Sequence, residues 1–205
     1  MGDYELLELL LTYAIPRRDV KPIAKGLIKR FGSIGAVLDA PRSELEKCPG
    51  MGDVSSSLIL LIKELFVQYT EEEMVEKDAL STPDAVITFA RTKMAGLHNE
   101  TFLAIYVDIK NRVISYDTLS SGTVSRVSVF PRQIVEAVLS NHASGVILVH
   151  NHPSGVVRPS EEDIALTRSV VEATRVLDIR VIDHIIVGKN GHFSFVGNNL
   201  LPQRF

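Results

Sequence analysis

The sequence predicts a mixed α/β domain over residues 79–205, preceded by a small all-α module over residues 1–78. Three observations carry this. From Tyr4 to about Tyr69 the apolar residues recur at helical spacing. Beyond residue 78 the period changes to strand-like runs that alternate with helical ones. Between the two, Glu71 to Asp78 loses apolar periodicity and reads as a linker or a helix extension.

Composition narrows the class. The 205 residues are 45% hydrophobic and 23% charged, a globular balance that excludes disordered and collagen-like chains. Trp is absent, so the core must be mostly aliphatic. A net charge of -3 removes the overall basic field of a non-specific nucleic-acid binder. Cys48 is the one cysteine, which excludes an internal disulfide and a Cys-rich zinc knuckle, and any tightly held metal must use His and carboxylate. Met1 to Glu8 is acidic and Leu9 to Leu11 is too short for a secretory h-region, and no stretch reaches the length of a membrane span. A free thiol without an export signal predicts a cytoplasmic protein with no membrane partner.

In the helical module, Leu6, Leu7, Leu10 and Leu11 form one stripe, Ile23, Leu27 and Ile28 a second, and Leu58, Leu61, Ile62 and Leu65 a third. Pro16, Gly32, and the Pro49, Gly50, Gly52 group punctuate them. In the second domain, Ser81 or Thr82 caps a helix with Pro83 in its first turn, running to about Ala95. Strands are expected over Phe102–Val107, Arg112–Leu119 and Thr123–Phe130, then a helix from Pro131 to about Ser140. Gly145–Val149 is a continuous apolar run, the mark of a buried strand, and His150–Pro159 reads as a loop. A helix follows from Ser160 to about Leu177, and Arg180–Val187 with His192–Val196 forms a hairpin across Asn190 and Gly191.

The chemistry concentrates in residues 149–163. Side chains two apart in an extended segment face the same way, so His150 and His152, at the end of a buried strand, can meet one ion. Pro153, Gly155 and Pro159 turn the chain back, and Asp163 falls in the first turn of the next helix, where its carboxylate can be a third ligand. Two imidazoles, one carboxylate and a water make the open four-coordinate shell of catalytic zinc. Ser160 three residues before Asp163 is also a helix-capping pattern. His184 reads as a partner behind the site, as an extra substrate contact or as a packed core residue, and His98, His142 and His192 are not ligand candidates.

His150, His152, Ser160 and Asp163 match the His-x-His, seven residues, Ser-x-x-Asp signature of the JAMM metallopeptidases, also called MPN+ domains. The stretch His150-Asn151-His152-Pro153-Ser154-Gly155, with Asp183-His184-Ile185-Ile186-Val187-Gly188, resembles the RadC branch of that group. The resemblance implies a mixed sheet flanked by helices, cytidine-deaminase-like in architecture, and a zinc-dependent hydrolase acting on an amide or isopeptide bond of a peptide or protein. It assigns Zn(2+) to His150, His152 and Asp163, and oxyanion stabilisation to Ser160. It calls for a general-base glutamate before an early strand; Glu100 matches best, with Glu136, Glu161 and Glu162 as rivals. A His-x-Glu deaminase is excluded for want of a Pro-Cys-x-x-Cys.

The helical module resembles a helix-hairpin-helix, with Pro49-Gly50-Met51-Gly52 as the hairpin. Such hairpins place backbone N–H groups on a DNA phosphate. Here Asp53 follows the second glycine and Ser55, Ser56 and Ser57 bring no cation, so the local charge opposes phosphate. The alternative function is a DNA-associated accessory protein of the RadC family whose metal site is structural or cleaves another bond.

Overall fold

The first third of the chain is helical: α1 (Asp3–Ala14), α2 (Lys21–Phe31), α3 (Ile34–Leu38), α4 (Arg42–Leu45) and α5 (Asp53–Met74). The computed structural model describes residues 2–75, 77–121 and 129–201. Leu7 and Leu11 of α1, Ile23 and Leu27 of α2, Val37, Leu45 and Ile59 form the aliphatic core of this part. Each such side chain contributes roughly 1.5–3 kcal/mol by leaving water.

The stripe expected on α5 is displaced. Leu61 and Leu65 are 54% and 52% exposed, and the buried positions are Ser55, Ser56, Ile59, Val67 and Met74. The serines are tolerated inside because their hydroxyls bond the Gly52 carbonyl, at 3.0 Å for Ser55 and 2.7 Å for Ser56. Of the expected stripe, Leu58 and Ile62 are half-buried while Leu61 and Leu65 face solvent, so the buried face is rotated from the one expected. Asp53 opens α5 and pairs with Arg42.

Compact packing divides the chain into Met1–Gln68 and Tyr69–Phe205, ten residues upstream of residue 78 and inside α5. The last turns of the helix belong to the second unit, where Tyr116 donates to Glu71 Oε2 at 2.9 Å. The segment from Glu71 is thus helix as far as Met74.

In the second unit follow α6 (Pro83–Met94), β1 (Thr101–Val107), β2 (Val113–Ser121), α7 (Pro131–Ser140), β3 (Gly145–Asn151), α8 (Glu161–Arg175), β4 (Arg180–Gly188) and β5 (Gly191–Ser194). The strand read over Thr123–Phe130 falls largely on 122–128, outside the described residues; Phe130 is the N-cap of α7. The sheet order is β2-β1-β3-β4-β5, with β3 and β4 parallel and the other neighbours antiparallel. The fold is the mixed sheet flanked by helices that the sequence predicts, with five strands among the described residues and a helical region before it.

The two central strands, TFLAIYV and GVILVHN, are buried at all seven positions. Alternate residues Phe102, Ala104 and Tyr106 of β1 and Val146 and Leu148 of β3 pack with Ile134 and Val138 of α7 and Val170 of α8. His150 continues the Val146, Leu148 row and so ends it on the same face. Leu103, Ile105, Ile147 and Val149 make the other face, and α6 packs on β3 and β4. A parallel pair needs a crossover, and here the crossover is α8. That connection returns Asp163 to the end of β3. No helix of the described residues is long and apolar enough to cross a membrane.

Candidate metal centre

β3 runs two residues further than the apolar run suggests, so His150 and Asn151 belong to the strand rather than to a loop. The polar pair is held there by pairing on both sides, His150 opposite Phe102 in β1 and Ile186 in β4. His150 is wholly buried and stacks on Phe102, the ring centroids 5.8 Å apart and 3° from parallel. His152 follows as the chain leaves the sheet, its N–H donating to the Val187 carbonyl at 3.0 Å.

The loop after His152 is fastened at one close approach. A Cβ on Gly188 would lie 3.0 Å from the Gly155 carbonyl oxygen and 3.0 Å from Val157 Cγ1, and Gly155 takes a φ of 80°. The absence of a Cβ on Gly188 lets the two backbones meet, and Gly155 supplies the left-handed turn. The loop then carries the Val156 carbonyl to within 2.7 Å of His152 Nδ1. A carbonyl accepts and cannot donate, so His152 holds its proton on Nδ1 and turns Nε2 to the site.

Asp163 is the third residue of α8 and closes a capping box. Ser160 Oγ accepts from the Asp163 N–H at 3.1 Å and donates to Oδ2 at 2.7 Å, and the Ser160 N–H donates to the same oxygen at 2.7 Å. With Oδ2 so held, Oδ1 lies 3.2 Å from His150 Nε2. The capping and ligand readings of Ser160 and Asp163 are thus compatible.

The three groups converge. His150 Nε2 and His152 Nε2 are 3.0 Å apart, His150 Nε2 and Asp163 Oδ1 3.2 Å, and His152 Nε2 and Asp163 Oδ2 3.5 Å. Zinc bonds of roughly 2.0–2.1 Å at tetrahedral angles separate ligand atoms by roughly 3.3 Å. The spacing suits one such ion. Glu100 joins them: the ligand-capable atoms of Glu100, His150, His152 and Asp163 all lie within 4.8 Å of one another. Among the described residues no other cluster of three or more such side chains occurs, so Glu136, Glu161 and Glu162 do not join this one.

The electrostatics agree with the geometry. Burial alone would raise the Asp163 carboxyl, but the neighbouring imidazoles of His150 and His152, with the Ser160 hydroxyl, hold it far below the usual carboxylate range. The Asp163 hydrogen bond raises His152 against the opposing effect of burial. His184 is driven well below the ordinary histidine value, chiefly by burial and then by the neighbouring His150. Its Nε2 is 2.9 Å from His150 Nδ1, so His184 is a partner behind the site and a packed core residue at once. His98, His142 and His192 are exposed and outside the cluster.

One residue of the site escapes a reading of ligand spacing. Asn151 is 1% exposed, and its Oδ1 accepts from the Thr101 N–H at 2.7 Å while Nδ2 donates to the Asn99 carbonyl at 3.1 Å. It brackets Glu100 from both sides along the chain. The available signal was an amide in an otherwise apolar buried strand, which must find donors and acceptors somewhere.

A five-stranded mixed sheet ending in paired histidines, with an aspartate returned on the crossover helix, defines a domain of the JAB type. That superfamily includes metal-dependent hydrolases. The family model for the RadC-like JAB domain matches residues 80–200, more than half of the chain, and the chain belongs to that family.

Proposed function

We propose that the protein is a zinc-dependent hydrolase of the JAMM type that cleaves an amide or isopeptide bond by attack of water. The observation that carries this reading is the meeting of two imidazole Nε2 atoms and the Asp163 carboxylate, 3.0–3.5 Å from one another, with Glu100 beside them. His150, His152 and Asp163 would hold the ion. Zinc there supplies a Lewis acid and lowers the pKa of a water it binds to about 7.

The chain's own groups do the rest. The Glu100 carboxylate takes the proton of the attacking water and passes it to the leaving amine, the task of a general base placed within reach of both. Ser160 Oγ donates to the oxygen that becomes negative in the transition state. The hydroxyl donates to Asp163 Oδ2 in this structure, so that role requires it to rotate away from the carboxylate. Asn151 keeps Glu100 in register with the ligands.

The test is turnover by purified protein with zinc on a library of peptides and isopeptide-linked peptides. Glu100→Gln should keep zinc and lose about 10²–10⁴-fold in rate. His150→Ala should lose the zinc. Hydrolysis undiminished in Glu100→Gln, or none that depends on zinc, would count against the reading. The DNA-associated alternative has less behind it, since the Gly52 N–H at the hairpin already donates to Ser55 Oγ at 2.9 Å.

A further inference from the structure

The contacts behind His150 run in single file. Thr167 Oγ1 lies 2.6 Å from the Asp163 carbonyl oxygen and 2.6 Å from His184 Nδ1, and His184 Nε2 lies 2.9 Å from His150 Nδ1. A threonine hydroxyl has one proton, and a carbonyl can only accept. The Thr167 proton therefore goes to Asp163. Its oxygen must accept at the other contact, which puts a proton on His184 Nδ1.

His184 is wholly buried, and the partners of its ring nitrogens are Thr167 and His150, neither of them an acid. A charged imidazole without a counter-ion is costly in such a place, so the ring is neutral and Nε2 is its bare nitrogen. That nitrogen accepts. His150 Nδ1 must then donate, and the neutral His150 ring carries its lone pair on Nε2, the atom 3.0 Å from His152 Nε2 and 3.2 Å from Asp163 Oδ1.

We propose that Thr167 and His184 are positioning residues that lock His150 in its Nδ1–H tautomer, so that the Nε2 lone pair is committed to the metal site before an ion arrives. Ligand histidines commonly donate to a carboxylate or a backbone carbonyl, acceptors that have no alternative state. An imidazole acceptor does have one. With its proton on Nε2, His184 would donate to His150 Nδ1, move the His150 proton to Nε2 and close the site to metal. The Thr167 hydroxyl, its own proton held by Asp163, forbids that reversal. The file begins on the main chain of Asp163 and ends at the imidazole facing the same residue's carboxylate, so α8, β4 and β3 are set against one another by it.

The proposal rests on His150 being a ligand and not on which bond is cleaved, so its test needs no substrate. Imidazole ¹⁵N correlation spectra of the metal-free full chain report the tautomer, and competition with a chromophoric chelator reports zinc affinity. Wild type and Thr167→Ser should show His150 protonated on Nδ1 and bind zinc alike. Thr167→Val, close in shape, should show His150 protonated on Nε2 and bind zinc about 10–100-fold more weakly with an unchanged circular dichroism spectrum. Affinity in Thr167→Val within about threefold of wild type, or an Nε2–H tautomer in the wild type, would overturn the proposal. Should the wild type bind no zinc, the metal reading fails, while the ¹⁵N spectra still decide the tautomer.

Discussion

Replacing Asn151 by alanine should destabilise the second unit by about 2–4 kcal/mol. The magnitude follows from what the amide holds. Its Oδ1 satisfies the Thr101 N–H, on a residue only 8% exposed, and an orphaned donor there costs about 1–3 kcal/mol. Loss of the bond from Nδ2 to the Asn99 carbonyl adds about 1 kcal/mol, and the 3.5 Å contact with the Leu97 carbonyl is too long to count for much. Against an m-value of about 2 kcal/mol per molar urea, the midpoint should fall by roughly 1–2 M with the slope unchanged. Amide exchange should speed up most at Asn99 to Thr101, because those groups lose their anchor. A midpoint shift below about 0.3 M would refute the argument, since it would mean that water replaces Asn151 at no cost.

Three further outcomes follow from the packing. Gly188→Ala should cost about 1–3 kcal/mol and weaken zinc binding, because the new Cβ meets the Gly155 carbonyl and pushes away the loop whose Val156 carbonyl holds His152; unchanged zinc affinity would show that the loop yields freely. Leu148→Ala, at a fully buried position on the face shared with His150, should cost about 2–5 kcal/mol in denaturant unfolding, and a loss below that range would mean the core collapses around it. Asp108 has its carboxyl lowered by the Arg112 N–H and side chain and by the Lys110 N–H. A carboxyl lowered on folding stabilises fully above its ordinary value of 3.8 and loses that contribution as the pH falls through the folded value. Asp108→Asn should therefore be weaker than wild type near neutral pH, with the gap closing as the pH falls below 3.8 and through the folded value, and a gap that stays constant with falling pH would argue against a carboxylate effect.

How far the sequence is legible depends on whether one residue's neighbours are close in the chain. The helix from Pro131 to Ser140 is set by a proline start and local apolar spacing, and it agrees with the structure at both ends. The capping box of Ser160 and Asp163 is equally local. His150 was placed in a loop because apolar composition ends at Val149, whereas strand pairing with Phe102 and Ile186 carries the polar residues into the sheet. On α5 the leucines gave a face rotated from the buried one, since burial of Ser55 and Ser56 depends on hydroxyl bonds that hydrophobicity does not register. Likewise the place of His184 depends on Thr167 and His150, 17 and 34 residues away, and no periodicity links the three.

The alternation of a single strand end has a consequence for anyone who would redesign this site. The two imidazoles of the candidate metal centre and the clamp on the Glu100 segment sit on three consecutive residues, so the proposed ion site and the proposed base cannot be moved independently. Inserting one residue immediately before His150 would exchange the two jobs between faces, sending the amide toward the candidate ion site and an imidazole toward the Thr101 N–H. Variation in specificity is therefore free to accumulate in the surrounding segments, while this tripeptide can change only as a block.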